Sequence, residues 1–163
     1  MILLDSNVLL VDFKYHNDPT FARNRQAMTA LAASGVVLGV PTQVIIEIVG
    51  VMSFGTPAAD VLKIWPTIQK KYNLTVVPDP AVVPDHCGCT PDEIVAEMVC
   101  KRHSGDAVIA AQIAKYASGA AAFLTWNLKH FRGNLVIPVL TPDEWLQQQT
   151  PPAAQSPPAG PTP

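Results

Sequence analysis

The stretch MILLDSNVLL, residues 1–10, decides the fold. Residues 1–4 are continuously apolar, as expected of a short strand buried on both faces. Asp5 interrupts the run, and Ser6 can cap a helix running through Leu10 and Phe13. The order is therefore strand, carboxylate, helix, with apolar residues on both sides of the acid.

The same alternation continues outward. Residues 21–33 place Ala27, Ala30 and Leu31 on one helical face, with Gly35 as a stop. Residues 36–40 read as a second doubly covered strand. The run QVIIEIVGVM is β-branched enough to be a strand, but Thr42 as a cap decides for helix. Residues 60–72 are expected to form a single helix bent at Pro66, and residues 74–77 a strand. Thr90-Pro91-Asp92-Glu93 and Thr141-Pro142-Asp143-Glu144 both read as capping boxes with proline in the first helical position. Between them lie an alanine-rich helix at 107–117, stopped by Gly119, and strands at 122–125 and 135–140. The sum is a three-layer α/β/α domain with a central, mainly parallel sheet. It spans residues 1–149. The tail at 150–163 holds six of the chain's 16 prolines without an apolar period and reads as disordered.

Composition sets the bounds. The chain has 163 residues, 48% hydrophobic and 15% charged. That charge is well below the ~25% of an average domain, so a real core is expected. The net charge of −2 excludes a protein that binds nucleic acid through bulk positive charge. No uncharged run is long enough for a membrane span. The N-terminus lacks a basic export signal, and three cysteines do not make a disulfide scaffold. A cytoplasmic protein is expected.

Scarcity makes the acids informative. Asp18, Asp79, Asp85, Asp92 and Asp143 lie in polar or turn contexts. Three others are embedded: Asp5, Glu47 between Val44-Ile45-Ile46 and Ile48-Val49, and Asp106 ahead of Ala107-Val108-Ile109. A lone buried carboxylate is costly unless it is paired or binds a metal. Three of them in an α/β sheet can meet at the carboxyl ends of strands, where ligands bind, and would suit Mg²⁺ or Mn²⁺. Taken singly, Asp5 could be a helix cap, Asp106 a first-turn dipole partner and Glu47 an exposed helix edge.

Asp5-Ser6-Asn7 after an opening strand, the isolated Glu47, Ser104-Gly105-Asp106 with its alanine-rich continuation, and residues 124–131 (LTWNLKHF) occur in the order found in PIN-domain ribonucleases, and the chain resembles that family over residues 1–146. Its size resembles the toxin of a VapBC-type toxin–antitoxin pair. The resemblance implies a metal-dependent endoribonuclease acting on RNA, with an antitoxin partner and a homodimeric state. It also implies that Asp5, Glu47 and Asp106 hold Mg²⁺ or Mn²⁺. Asn127 then stands where some members carry a fourth acid, and Ser6, Asn7 and Thr125 line the pocket. Ser6, Asn7 and Thr125 could equally serve strand-end and cap hydrogen bonds. Lys101, Arg102, Lys129, His130 and Arg132 are candidates to guide the strand, or ordinary surface charges.

Four other readings are open to these residues. A haloacid dehalogenase-type phosphatase also opens on a strand ending in Asp, but it needs a second Asp where Asn7 stands. His86-Cys87-Gly88-Cys89 with Cys100 and His103 could suggest zinc, but Cys-x-Cys is tighter than the usual ligand spacing. Cys100 is expected to be a buried helix residue instead. Met52, Phe54, Trp65 and Tyr72 form an apolar stripe better suited to core or partner surface than to a base platform. A PIN scaffold that binds RNA or protein without cutting is the main rival to the enzyme, because Asn127 replaces an acid.

Overall fold

The computed structural model describes residues 1–85 and 87–149. The expected tail and His86 lie outside these residues. Five parallel strands form one sheet: β1 (Ile2–Leu4), β2 (Leu38–Pro41), β3 (Leu74–Val77), β4 (Ala122–Leu124) and β5 (Val139–Leu140), in spatial order β3-β2-β1-β4-β5. The central strand β1 is wholly buried and pairs with β2 (Ile2 against Leu38) and β4 (Ile2 against Ala122). Its unbroken apolar run is what a strand flanked on both edges and both faces requires. β2 approaches so closely that a Cβ on Gly39 would lie 2.6 Å from Met1 Sδ.

From β1 the chain moves through β2 to β3 on one side, then crosses over to β4 and β5 on the other. The switch point therefore lies between the carboxyl ends of β1 and β4. Helices α1 (Ser6–Phe13) and α2 (Phe21–Ser34) connect β1 to β2. Next come α3 (Thr42–Ser53), α4 (Ala58–Val61) and α5 (Ile64–Tyr72). Helices α6 (Pro91–Met98) and α7 (Ser104–Tyr116) precede β4, α8 (Leu128–Phe131) follows it, and α9 (Pro142–Gln149) packs on α2. The arrangement is the three-layer α/β/α sandwich expected, closed around a core that includes Leu3, Leu9, Ile48, Ile109, Phe123 and Phe131.

Several boundaries differ from the sequence expectation for identifiable reasons. Asp5, not Ser6, caps α1, accepting the Ser6 N–H at 2.7 Å. Thr42 is the first residue of α3 rather than its cap, and its hydroxyl turns to the Val77 carbonyl at 3.4 Å. The single bent helix is two helices, α4 and α5. Pro66 sits in the first turn of α5, where its missing N–H has no helical partner to lose. β2 begins at Leu38, leaving Val37 exposed. β5 is confined to two residues: Val136 is exposed and Pro138 cannot donate to a ladder. α7 starts three residues earlier than expected, which puts Asp106 in its first turn, and it ends ahead of Gly119. Both capping boxes are present.

Candidate active site at the carboxyl ends of the central strands

Asp5 leaves β1 at the switch point, where its N–H bonds the Leu124 carbonyl of β4 at 3.0 Å. Its side chain is 3% exposed yet fully engaged. Oδ1 receives the Ser6 N–H, and Oδ2 receives Thr125 Oγ1 at 2.5 Å and Asn7 Nδ2 at 2.8 Å. Burial is the main reason its pKa climbs from 3.8 to about 6. The Thr125 and Ser6 bonds pull it down, and the charges of Glu47 and Asp106 push it up.

Glu47 reaches the same place from α3. Ser6 Oγ donates to its Oε2 at 2.8 Å and lies 3.4 Å from Asp5 Oδ1, so one hydroxyl stands between the two carboxylates. Half-burial raises the Glu47 pKa, hydrogen bonds from Ser6 and Gln43 oppose the rise, and the Asp106 charge adds to it. Neighbouring carboxylates thus raise the pKa of both Asp5 and Glu47, and burial adds the larger share.

Asp106 is brought in by the N-terminal turn of α7. A Cβ on the preceding Gly105 would stand 2.6 Å from Glu47 Oε1. Glycine here leaves the room that the Glu47 carboxylate occupies beside α7. Asp106 Oδ2 also meets His130 Nδ1 at 2.5 Å, and that nitrogen lies 3.0 Å from Asn127 Nδ2. The Asn127 N–H donates to Thr125 Oγ1 at 2.9 Å. Asp5, Ser6, Asn7, Glu47, Asp106, Thr125 and Asn127 thus lie in one connected neighbourhood.

The alternatives for single acids resolve unevenly. Asp5 and Asp106 do sit at helix starts, as a cap and a first-turn acid, while also belonging to the cluster. Glu47 is not on an exposed edge. Among the described residues, no three or more His, Cys, Asp and Glu side chains stand arranged to hold a metal ion.

The structure separates the five basic residues that are candidates to guide the strand. Arg102 is buried and serves the fold, donating to the His130 carbonyl at 3.0 Å, the Asn134 carbonyl at 2.6 Å and the Glu97 carboxylate. Arg132 pairs with Glu144. His130 is inside the site as the neighbour of Asp106; its spacing of three from Asn127, on the turn of α8, was the available signal. Lys101 and Lys129 are exposed.

Asp12 was missed as a buried acid. It lies away from the cluster near the end of α1, bound by Tyr72 Oη at 2.5 Å, Arg25 at 3.1 Å and Lys71 at 3.3 Å. The flanking Val11 and Phe13 carried the signal. Cys100 is exposed beyond α6 rather than buried within it. The apolar stripe divides: Trp65 and Tyr72 pack on the core, while Phe54 is 95% exposed.

The three-layer fold with its all-parallel sheet is PIN-like. A solved structure of VapBC2 from Rickettsia felis, bound to a DNA fragment from the promoter, is similar over 86% of this chain and 99% of that chain. The TM-score is 0.54 at 17% identity, a likeness of fold. No protein-family model matches the sequence, and no curated protein matches it significantly. None of the described helices is long and apolar enough to cross a membrane.

Proposed function

We propose that this chain is a metal-dependent endoribonuclease, hydrolysing RNA phosphodiester bonds as the toxin of a toxin–antitoxin pair. The observation that carries the reading is the gathering of Asp5, Glu47 and Asp106 at the sheet's switch point, two of them with raised pKa values. Clustered, partly buried carboxylates repel a polyanion unless a cation joins them. The donors are hard oxygens, which fits Mg²⁺ or Mn²⁺, and Gly105 keeps the space beside Glu47 clear. Asp5, Glu47 and Asp106 would hold the ion, with Asn127 as a neutral neighbour. Bound there, the ion would supply charge neutralisation at the phosphate and a more acidic water. The chain's own part is to aim the carboxylates: Thr125 and Asn7 orient Asp5, Ser6 sets the spacing of Asp5 and Glu47, and His130 steadies Asp106.

The likeness to a VapBC complex supports an antitoxin partner, and the same proposal takes the protein as cytoplasmic and homodimeric. A scaffold that binds RNA or a partner without cutting is the second reading. It is favoured by Asn127, which brings no charge where an acid could stand. The deciding experiment is a gel assay of structured and unstructured RNAs with Mg²⁺ or Mn²⁺, using chain freed of any partner. Cleavage that chelator abolishes supports the enzyme. Intact RNA under both metals, with tight binding of a partner protein, supports the scaffold.

A further inference from the structure

We propose that Arg23 and Trp126 form a stacking subsite beside the carboxylate cluster that takes an unpaired base of a single-stranded RNA. The inference rests on the ribonuclease reading and specifies which form of RNA the site receives.

Trp126 sits between two site residues, Thr125 and Asn127, on the segment leaving β4. Its backbone N–H donates to Asn7 Oδ1 at 3.1 Å, and the Asn7 amide donates to Asp5. One side chain therefore separates this residue from the central acid. The indole cannot swing freely, because Nε1–H donates at 2.9 Å to Asn24 Oδ1. Asn24 is itself fully buried and bonded to the Val8 carbonyl at 3.0 Å. Across the indole lies the Arg23 guanidinium, 5.4 Å from the ring centroid. Asp143 pins it there through a 2.6 Å ion pair, yet the Arg23 side chain is 57% exposed.

The result is a fixed, partly buried aromatic ring packed against the core with a guanidinium over it, and the guanidinium is the part that reaches solvent. Bases of single-stranded RNA stack on aromatic rings and on guanidinium planes, and the same cation can attract the adjoining phosphate. Bases within a duplex have both faces covered by their neighbours and cannot use such a platform. The chain's negative net charge makes a local device of this kind more telling than it would be on a basic protein.

The test uses the full chain carrying Asp106→Asn, so that bound RNA stays uncut. The probes are a fluorescein-labelled single-stranded RNA of mixed sequence and the same strand annealed to its complement. Anisotropy is expected to show tighter binding of the single strand. Unlabelled single strand should quench a part of the tryptophan emission that Trp126→Phe removes. Arg23→Gln and Trp126→Leu should each weaken single-strand binding about fivefold or more, while Trp126→Phe retains most of it. Should Trp126→Leu fail to fold by circular dichroism, Arg23→Gln, at an exposed position, decides. Undiminished single-strand binding by Arg23→Gln, or equal binding of duplex, overturns the subsite and leaves the ribonuclease reading standing. No binding of any RNA overturns the subsite, and cleavage by the unsubstituted chain decides the ribonuclease reading independently.

Discussion

Thr125 Oγ1 donates to Asp5 Oδ2 at 2.5 Å, joining the carboxyl ends of neighbouring strands β1 and β4 across 120 residues of sequence. Thr125 also accepts from Asn7 Nδ2 at 3.1 Å and from the Asn127 N–H at 2.9 Å. One buried hydroxyl thereby fixes an acid, the Asn7 amide and the segment that carries Asn127.

Thr125→Val keeps the shape and removes the hydroxyl. Two donors then lose a buried acceptor, which costs about 1–3 kcal/mol. Asp5 also loses a bond that favours its charged form, so its pKa moves above the present value of about 6. A melting curve and a carboxyl-carbon NMR titration of Asp5 check the two effects. An unchanged Asp5 midpoint would remove Thr125 from the orienting role.

The pH dependence of metal-free stability carries a signature of the same residue. Asp5 titrates near 3.8 when unfolded and about 6 when folded. Between these values the native state holds the extra proton, so this contribution to stability declines as pH rises through that window. In full it amounts to roughly 3 kcal/mol, and Glu47 adds in the same direction. Asp12 and Glu144, with lowered pKa values, act oppositely at more acid pH. The measurement is therefore the difference between wild type and Asp5→Asn, in chelator, across the window. With millimolar Mg²⁺ or Mn²⁺ the melting temperature should rise, and more so above pH 6, because the ion binds the ionised form. Curves indifferent to both ions would count against a metal site.

Asp5→Asn and Asp106→Asn should each lower RNA cleavage by roughly 10²-fold or more while the chain still folds, since shape is kept and charge is lost. Asn127→Asp should be tolerated and should tighten metal binding measured calorimetrically. Asp18→Asn is the control: its carboxylate only closes the turn onto Thr20, at 2.7 Å to N and 2.6 Å to Oγ1. Equal cutting by all variants would make the acids structural.

Gly105→Ala separates site from scaffold. The new methyl must displace the Glu47 carboxylate, a flexible side-chain end, so the fold bears little strain. Alanine favours the helix by up to about 1 kcal/mol over glycine. Stability should hold or rise while cleavage and metal affinity fall. Full activity in this variant would show that Glu47 need not stand beside α7.

Asp12→Asn should do the reverse. It breaks the buried network with Tyr72, Arg25 and Lys71. Two of those partners reach solvent, so the loss is about 2 kcal/mol rather than that of a fully enclosed pair. Denaturant unfolding reads the destabilisation, and cleavage per folded molecule should match wild type. Lost cleavage by folded protein would place Asp12 in the functional network.

The alternation of strand and helix was legible because each element announces itself locally. Doubly buried strands must be continuously apolar, and Thr-x-x-Glu with proline marks a helix start whatever lies beyond it. Boundaries were less legible where distant partners set them. β5 is short because of what Pro138 cannot donate, and Pro66 sits at a helix start because α4 ends before it.

The site divides in the same way. Asp5, Glu47 and Asp106 stood out from sequence because charge embedded in apolar surroundings is a local contradiction. Their gathering at one end of the sheet depends on strand order, with β1 between β2 and β4. That order arises from burial shared among segments more than a hundred residues apart. Only the tertiary structure could therefore bring His130 to Asp106, turn Arg102 inward to the Asn134 carbonyl, and give Asp12 three partners from two other helices. In each case the residue's own neighbours in sequence say nothing of the group that satisfies it.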